Sequence, residues 1–431
     1  MGSKKIYRKY AMLIVLLILL IGLSGIMLSR DREEHSQSKG EEAEATEQTE
    51  QWEKGYNLPL DTQKKKDAEE ECSAAMERIS SQYQNMDKGN TSDGVLSDEE
   101  IVALKDVLKE DGLTVTGADA YSTMENYETI EDFLADCQDG KEGTMVLYKV
   151  KSSGGLNRTE FEYDGEDLYV VDTISEWSGD GEPVISSTSY TRVKWWNYTE
   201  KGWLSYELCA PQPPEVTEVV DASTMIRIRP MEETYRELSR KCVLALGYQG
   251  NNLLCSNWNT SDLSRLDYNG VFESFYEMKY GTIIDYDRYA DGIEAEEFES
   301  LIMEYLPVTK DELRACAEYD AETGTYLWVR LGTGNYSPTT FGTSIPEVVK
   351  AEEKGDGIVE LTVQAVCMAA CNDNAMTHKL TVQFSDDGTF QYLGNEIPEE
   401  ELAKVPEYQY RFGNNGKKRT GSKKSCPLHF A

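Results

Sequence analysis

Five segments decide the fold: TMVLYKV (144–150), RTEFEY (158–163), DLYVVDTISEW (167–177), STSYTRVKWWNY (187–198) and GWLSYEL (202–208). Apolar and polar side chains alternate along them, and β-branched and aromatic residues dominate. A period of two sends successive side chains to opposite faces, so each segment reads as a strand with one face toward a core. The connections are short, and Asp164-Gly165 has the chemistry of a hairpin turn. Strands joined so closely pair with their sequence neighbours, which predicts an antiparallel meander. A short amphipathic helix over 127–137, ending before Asp139-Gly140, is available to cover one face.

Toward the amino terminus, 64–86 and 97–109 carry helical spacing around the loop DKGNTSDG. The second helix opens on Ser97-Asp-Glu-Glu100, a capping-box pattern, and sets Ile101, Leu104, Val107 and Leu108 on one face. Residues 29–60, with the run EEAEATEQTEQWEKG, have too few aliphatic side chains to offset the entropy of ordering, and read as a disordered acidic linker. Ahead of them AMLIVLLILLIGLSGIML (11–28) holds no charge and follows Lys4, Lys5, Arg8 and Lys9. With Tyr10 it would span about 28 Å as a helix, the thickness of a hydrocarbon core. The expectation is a transmembrane signal anchor at 10–28, with residues 1–9 cytoplasmic and the bulk extracellular. Gly22-Leu23-Ser24 also offers small residues for cleavage, so a removed signal peptide is the other reading, and both export the rest.

Toward the carboxyl terminus, Pro211, Pro213 and Pro214 end the last strand and mark a boundary between a first lobe, 61–210, and a second, 215–412. The second lobe opens with a strand near 223–229 and a helix over 231–246. Helical spacing at 262–279 is interrupted by Asn269-Gly270. Helices follow at 294–305, stopped by Pro307, and from the capping pattern Thr309-Lys-Asp-Glu312 to Ala317. Strands are expected at 325–331, 358–367, 377–385 and 389–394, the last two joined by Asp386-Asp-Gly388. Residues 413–431 read as a disordered basic tail. The predicted class is α+β: a transmembrane helix, an acidic stalk, and two lobes each with helices packed on antiparallel sheet.

Composition narrows the function. The net charge is −35, and nine of the 43 cations sit in the two terminal patches at 4–9 and 417–424, so the middle is more acidic still. Such a surface repels phosphates, which argues against nucleic-acid binding. Of three histidines only His378 lies in the folded part, which leaves histidine-based triads a single candidate. Nine cysteines show no repeated spacing. If the strand at 358–368 continues, Cys367 and Cys371 stand about 13 Å apart, beyond disulfide reach, and no fourth ligand completes a metal site with His378. No cofactor or metal is expected.

One surface stands out. Strict alternation along the fourth strand would place Tyr190, Arg192, Lys194, Trp196 and Tyr198 on one aromatic, basic face, able to stack a sugar ring or accept an acidic peptide. The same aromatics could instead complete a core. Glu160, Glu162, Asp172 and Glu176 could supply a carboxylate pair for glycoside hydrolysis, though no spacing selects two of them. Asp285, Asp287, Asp291 and Glu294 gather around Gly292 without the spacing of a calcium loop.

The stretches LGYQGNN (246–252) and RLDYNGVFESFYEMKYGTIIDYDRYADGIEAEEFESLIMEYLP (265–307), together with Tyr408-Gln-Tyr-Arg411, resemble an uncharacterised domain-of-unknown-function family of single-anchor exported proteins from low-GC Gram-positive bacteria. The resemblance implies an envelope location and transfers no catalytic motif. The expected function is a membrane-anchored, non-enzymatic binding module whose partner is an envelope protein, peptide or glycan. An envelope hydrolase using paired carboxylates is the alternative.

Overall fold

The computed structural model describes residues 51–86, 95–332 and 337–411. The span at 10–28, most of the linker and the basic tail lie outside them; among the described residues no helix is long and apolar enough to cross a membrane.

Seven strands form the first sheet: β1 (Val115–Gly117), β2 (Gly143–Val150), β3 (Leu156–Tyr163), β4 (Leu168–Trp177), β5 (Pro183–Tyr198), β6 (Trp203–Leu208) and β7 (Ser223–Arg227). Spatial order equals sequence order, and every pair except β1–β2 is antiparallel. The alternation yields two apolar faces. On one, Tyr148, Val150 and Leu156 pack beneath α1 (Thr62–Gln84) and α2 (Asp98–Glu110), with Met76, Ile79, Ile101 and Leu104 inward. On the other, Met145, Leu147, Phe161 and Val170 pack beneath α3 (Glu128–Gln138) through Ile130, Phe133 and Leu134. The lobe therefore has three layers, because the strands carry apolar residues at both parities. The Ser97 capping box forms as its sequence requires.

Strand β7 corrects the expected boundary. It pairs with β6 from Trp203↔Arg227 to Glu207↔Ser223, so it belongs to the first lobe and not to the second. The prolines halt the pairing without ending the lobe, since the Gln212 side chain both donates to and accepts from the Val220 backbone and closes the excursion. Residues 51–60, the end of the stretch read as linker, also belong here. Pairing of β5 with β6 starts only at Val193, which leaves the upstream edge of β5 open. Arg192 N–H donates to Gly55 O at 2.7 Å and Leu58 N–H to Tyr190 O at 2.9 Å along that edge. Trp52 then lies edge-on to Tyr169 and Tyr190. Gly55 has φ +80°, and a Cβ there would meet Cys209 Sγ at 2.8 Å.

The second lobe holds a small sheet of β9 (Ile293–Glu294), β10 (Tyr319–Asp320) and β11 (Thr325–Tyr326). Its main sheet is antiparallel, in the order β12 (Ile345–Gly355), β13 (Ile358–Cys367), β14 (Asn372–Phe384), β15 (Phe390–Glu396), β8 (Trp258–Asn259). Around them lie α4 (Glu233–Cys242), α5 (Tyr268–Tyr280), α6 (Ala295–Tyr305), α7 (Lys310–Cys316) and α8 (Glu399–Leu402). The core is aromatic: Phe272 stacks on Phe298, Phe298 on Tyr326, and Phe275 on Tyr392.

Three expectations change in this lobe. Helix α5 runs through Asn269-Gly270 because both residues have tertiary tasks. A Cβ on Gly270 would sit 1.8 Å from Gly250 O, so the missing side chain admits that carbonyl. Asn269 accepts from Val329 N–H at 2.7 Å and donates to Leu327 O at 3.2 Å. That side chain takes the place of a strand partner, and the strand expected over 325–331 stops at Tyr326. Strand β12 was not anticipated: it carries Pro346 and the charged run around Lys350–Lys354, which an edge strand tolerates and a central one does not.

Candidate functional site

The lobes meet along a polar seam. Glu347, at the start of β12 and 3% exposed at its side chain, receives two bonds from Arg227 Nη1 of β7 at 2.7 and 2.8 Å, with Lys201 Nζ 3.6 Å away. From α4, Arg240 donates to Ala120 O at 2.7 and 3.2 Å, and Arg236 to Thr123 Oγ1 at 3.0 Å. Tyr121 donates its hydroxyl to Pro346 O. An apolar patch of Trp203, Met225, Val366 and Cys371 continues the contact.

Within this seam is a cavity of about 140 Å³. Met225, Ile226, Ile345 and Met368 give it an apolar wall; Asp119, Ser122, Lys149, Trp203 and Arg227 give it a polar one. The Asp119 carboxylate is fully buried. Its Oδ1 accepts from Ser122 Oγ at 2.7 Å and from Lys105 Nζ at 3.3 Å, and Lys105 also donates to Ser122 Oγ at 2.8 Å. Burial pulls the Lys105 ammonium below the usual lysine range, against the opposing pull of Asp119. Asp119 Oδ2 accepts no hydrogen bond; the Arg240 guanidinium stands 3.6 Å from it. The buried indole Nε1–H of Trp203 finds no acceptor. Arg227 lies over the Trp203 ring at 5.2 Å and donates Nε to Arg229 O, so among the described residues its Nη2 makes no hydrogen bond. Lys149 is exposed and has no ion pair among the described residues.

The face expected from Tyr190, Arg192, Lys194, Trp196 and Tyr198 does not form. The β5–β6 register steps from Val193↔Leu208 to Trp195↔Glu207, so Lys194 is an extra residue in a β-bulge and the alternation reverses after it. Tyr190 and Arg192 stay on the side of the docked segment, with Lys64 Nζ 5.3 Å from the Tyr190 ring centre and Asp167 3.6 Å from Arg192. Trp196 and Tyr198 turn to the α3 core beside Val193. Lys194 and Trp195 both donate to Glu207, at 2.8 and 2.6 Å.

The strand carboxylates likewise do not gather. Glu160 pairs with Arg158 at 2.8 Å and Glu162 with Lys64 on the α1 face, while Asp172 accepts from Thr159 at 2.8 Å on the opposite face. Glu176 pairs with Lys151. Asp285 caps the Asp287 N–H at 3.1 Å. Among the described residues no three His, Cys, Asp or Glu side chains are placed to hold a metal, and none of the eight described cysteines forms a disulfide. His378 is buried between Tyr248 Oη at 2.9 Å and Asn395 Oδ1 at 2.6 Å, and burial depresses its pKa to about 4. The cavity residues come from six separate stretches of chain, so no local spacing marks them.

These features define a two-lobed α+β protein with a small amphipathic cavity at the lobe junction. The chain belongs to DUF6070, a family of unknown function whose model matches residues 65–411. No curated protein and no solved structure matches it. The stretches that carry the resemblance form a buried polar knot in the second lobe. Asn251 donates to Leu246 O and Ser274 Oγ at 2.5 and 2.9 Å, and Asn252 bridges Arg265 O and Asp267 N–H. Tyr408 donates to Asp267 at 2.7 Å. Arg411 holds Glu273 at 2.6 and 2.7 Å, Gly250 O at 2.9 Å and Val329 O at 3.0 Å.

Proposed function

We propose that the protein is a membrane-anchored extracytoplasmic binding module that takes its ligand in the cavity between the lobes. The observation that carries this is a cavity of about 140 Å³ that both lobes build, with an apolar wall and with Arg227 Nη2 and the Lys149 ammonium unpaired among the described residues. Junctions between lobes are common places for such cavities. The anchor at 10–28 and the acidic stretch after it support the location.

Melting of the full-length chain in detergent, against a panel of amino acids, acylated amino acids, hydroxy acids, dipeptides and sugars, tests the cavity. A ligand at about 100 times its Kd stabilises by about 2.7 kcal/mol. The shift should vanish in Ile345→Trp, which fills the cavity. A panel in which no shift depends on Ile345 sinks the reading. Fractionation and surface proteolysis of intact cells test the location; the chain in the soluble interior would refute it.

A further inference from the structure

The first sheet is curled around α3. Residues from β2 to β7, among them Met145, Phe161, Val170, Val193, Leu204 and Ile226, converge on that one helix. The rings of Phe161 on β3 and Tyr206 on β6 meet edge-to-face with centroids 5.6 Å apart. A flat sheet would separate those two strands by about 14 Å. On the concave face the row Met145, Phe161, Val170, Thr191 crosses β2 to β5 beside the helix, and the next row is Leu147, Thr159, Asp172, Ser189. Toward β5 that second row turns to hydroxyls around one carboxylate.

We propose that this concave face holds a binding site, separate from the inter-lobe cavity, in which Asp172 receives a primary ammonium group carried on an aliphatic chain. Asp172 Oδ1 accepts from Thr159 Oγ1 at 2.8 Å. Its Oδ2 accepts no hydrogen bond among the described residues, and it is open to solvent in a half-buried side chain. Thr191 is only 9% exposed, and its hydroxyl likewise has no partner among the described residues and is not sealed off. Ser189, directly across from Asp172, is exposed. None of these four residues lines the inter-lobe cavity.

Charge selects a cation. Asp119 has Lys105 and Arg240, Glu299 has Arg314 and Lys310, and Glu347 has Arg227 and Lys201, all within 3.6 Å. Asp172 has no ion pair among the described residues. Arg158 on the adjacent strand serves Glu71 and Glu160 on the other face, and Lys149 lies two strands away, about 10 Å across the sheet. Burial raises the Asp172 pKa against the opposing hydrogen bonds from Thr159 and Asn157, and no cation joins that opposition. Donor geometry then selects the group. A guanidinium fork engages both oxygens of a carboxylate, but Thr159 already occupies Oδ1. An ammonium has three donors, which Oδ2, Thr191 Oγ1 and Ser189 Oγ can accept. Ile174, half-buried and two residues along the same face, offers apolar surface to the alkyl chain. Two sources share this chemistry: a free alkylamine, and the lysine side chain of a peptide.

Calorimetric titration of the full-length chain in detergent tests the site. Butylammonium represents the free amine and Nα-acetyllysine amide the peptide lysine. Binding of either that falls at least tenfold in Asp172→Asn supports the assignment, and the tighter of the two names the source. Asparagine can still accept from Thr159, and loss of an uncompensated charge should leave the melting temperature the same or higher. Thr191→Val, which removes one acceptor and no charge, should weaken binding severalfold and serves where the first variant does not fold. Tetramethylammonium, which has the charge without N–H donors, is expected to bind at least tenfold more weakly than butylammonium. Amine binding equal in the wild type and Asp172→Asn overturns the site, because the general acidity of the chain then accounts for it. Tetramethylammonium or methylguanidinium binding as tightly as butylammonium overturns the ammonium. No binding of either amine overturns this inference and leaves the inter-lobe cavity standing, since Ile345→Trp tests that separately.

Discussion

Replacing Arg227 by methionine should cost about 3 kcal/mol of stability. Both Glu347 oxygens accept from Arg227 Nη1, and the carboxylate is almost wholly withdrawn from water. Removing one partner of a buried ion pair costs about 3–5 kcal/mol because the remaining charge loses its compensation. Lys201, 3.6 Å from Glu347, retains part of that compensation and sets the lower end of the range. Unfolding entropy of about 2.1 cal/mol/K per residue gives about 0.7 kcal/mol/K for the matched region, so the melting temperature should fall by about 4 °C. Urea unfolding followed by circular dichroism measures it. A double-mutant cycle with Glu347→Leu sharpens the test, since removing both charges should recover most of the loss. Arg227→Met within 0.5 kcal/mol of the wild type, or a double variant no better than the single one, would refute the argument.

Gly270→Ala should destabilise by about 1–3 kcal/mol although alanine is about 1 kcal/mol better in a helix, because its Cβ collides with Gly250 O; chemical denaturation decides the sign. Gly55→Ala, strained at φ +80° and pressed on Cys209, should release residues 51–60 from β5, seen as faster proteolysis there with the rest intact. His378 titrates near 4 when folded and near 6.5 when unfolded, so the unfolded chain binds the extra proton between those values. Its contribution is complete above pH 6.5 and is lost as the pH falls toward 4, by about 3 kcal/mol in all. His378→Phe should flatten that slope in denaturation curves at pH 7 and pH 5; an unchanged slope would count against the buried neutral imidazole.

The meander was legible because its strands alternate and its turns are short, and the capped helices because Ser97 and Thr309 each stand three residues before a glutamate. What stayed hidden depends on distant partners. The one-residue bulge at Lys194 that divides the aromatic face leaves no composition signal. Asn269-Gly270 looks like a helix breaker until Gly250 and Val329 are in place. Strand β12 looks like a charged loop until it is seen at an edge. The cavity is the extreme case, since Asp119, Lys149, Trp203 and Arg227 come from distant parts of the first lobe and Ile345 closes over them from the second.

Arg411 ties together residues made well before it. The ribosome delivers it long after Gly250, Glu273 and Val329, the three residues it joins. The second lobe's interior is thus keyed by the last residue of the matched region, while the first lobe has every strand of its sheet by Arg227. A polypeptide cut short of Arg411 therefore has every strand of the first sheet but leaves the Glu273 carboxylate and the Gly250 and Val329 carbonyls without this donor.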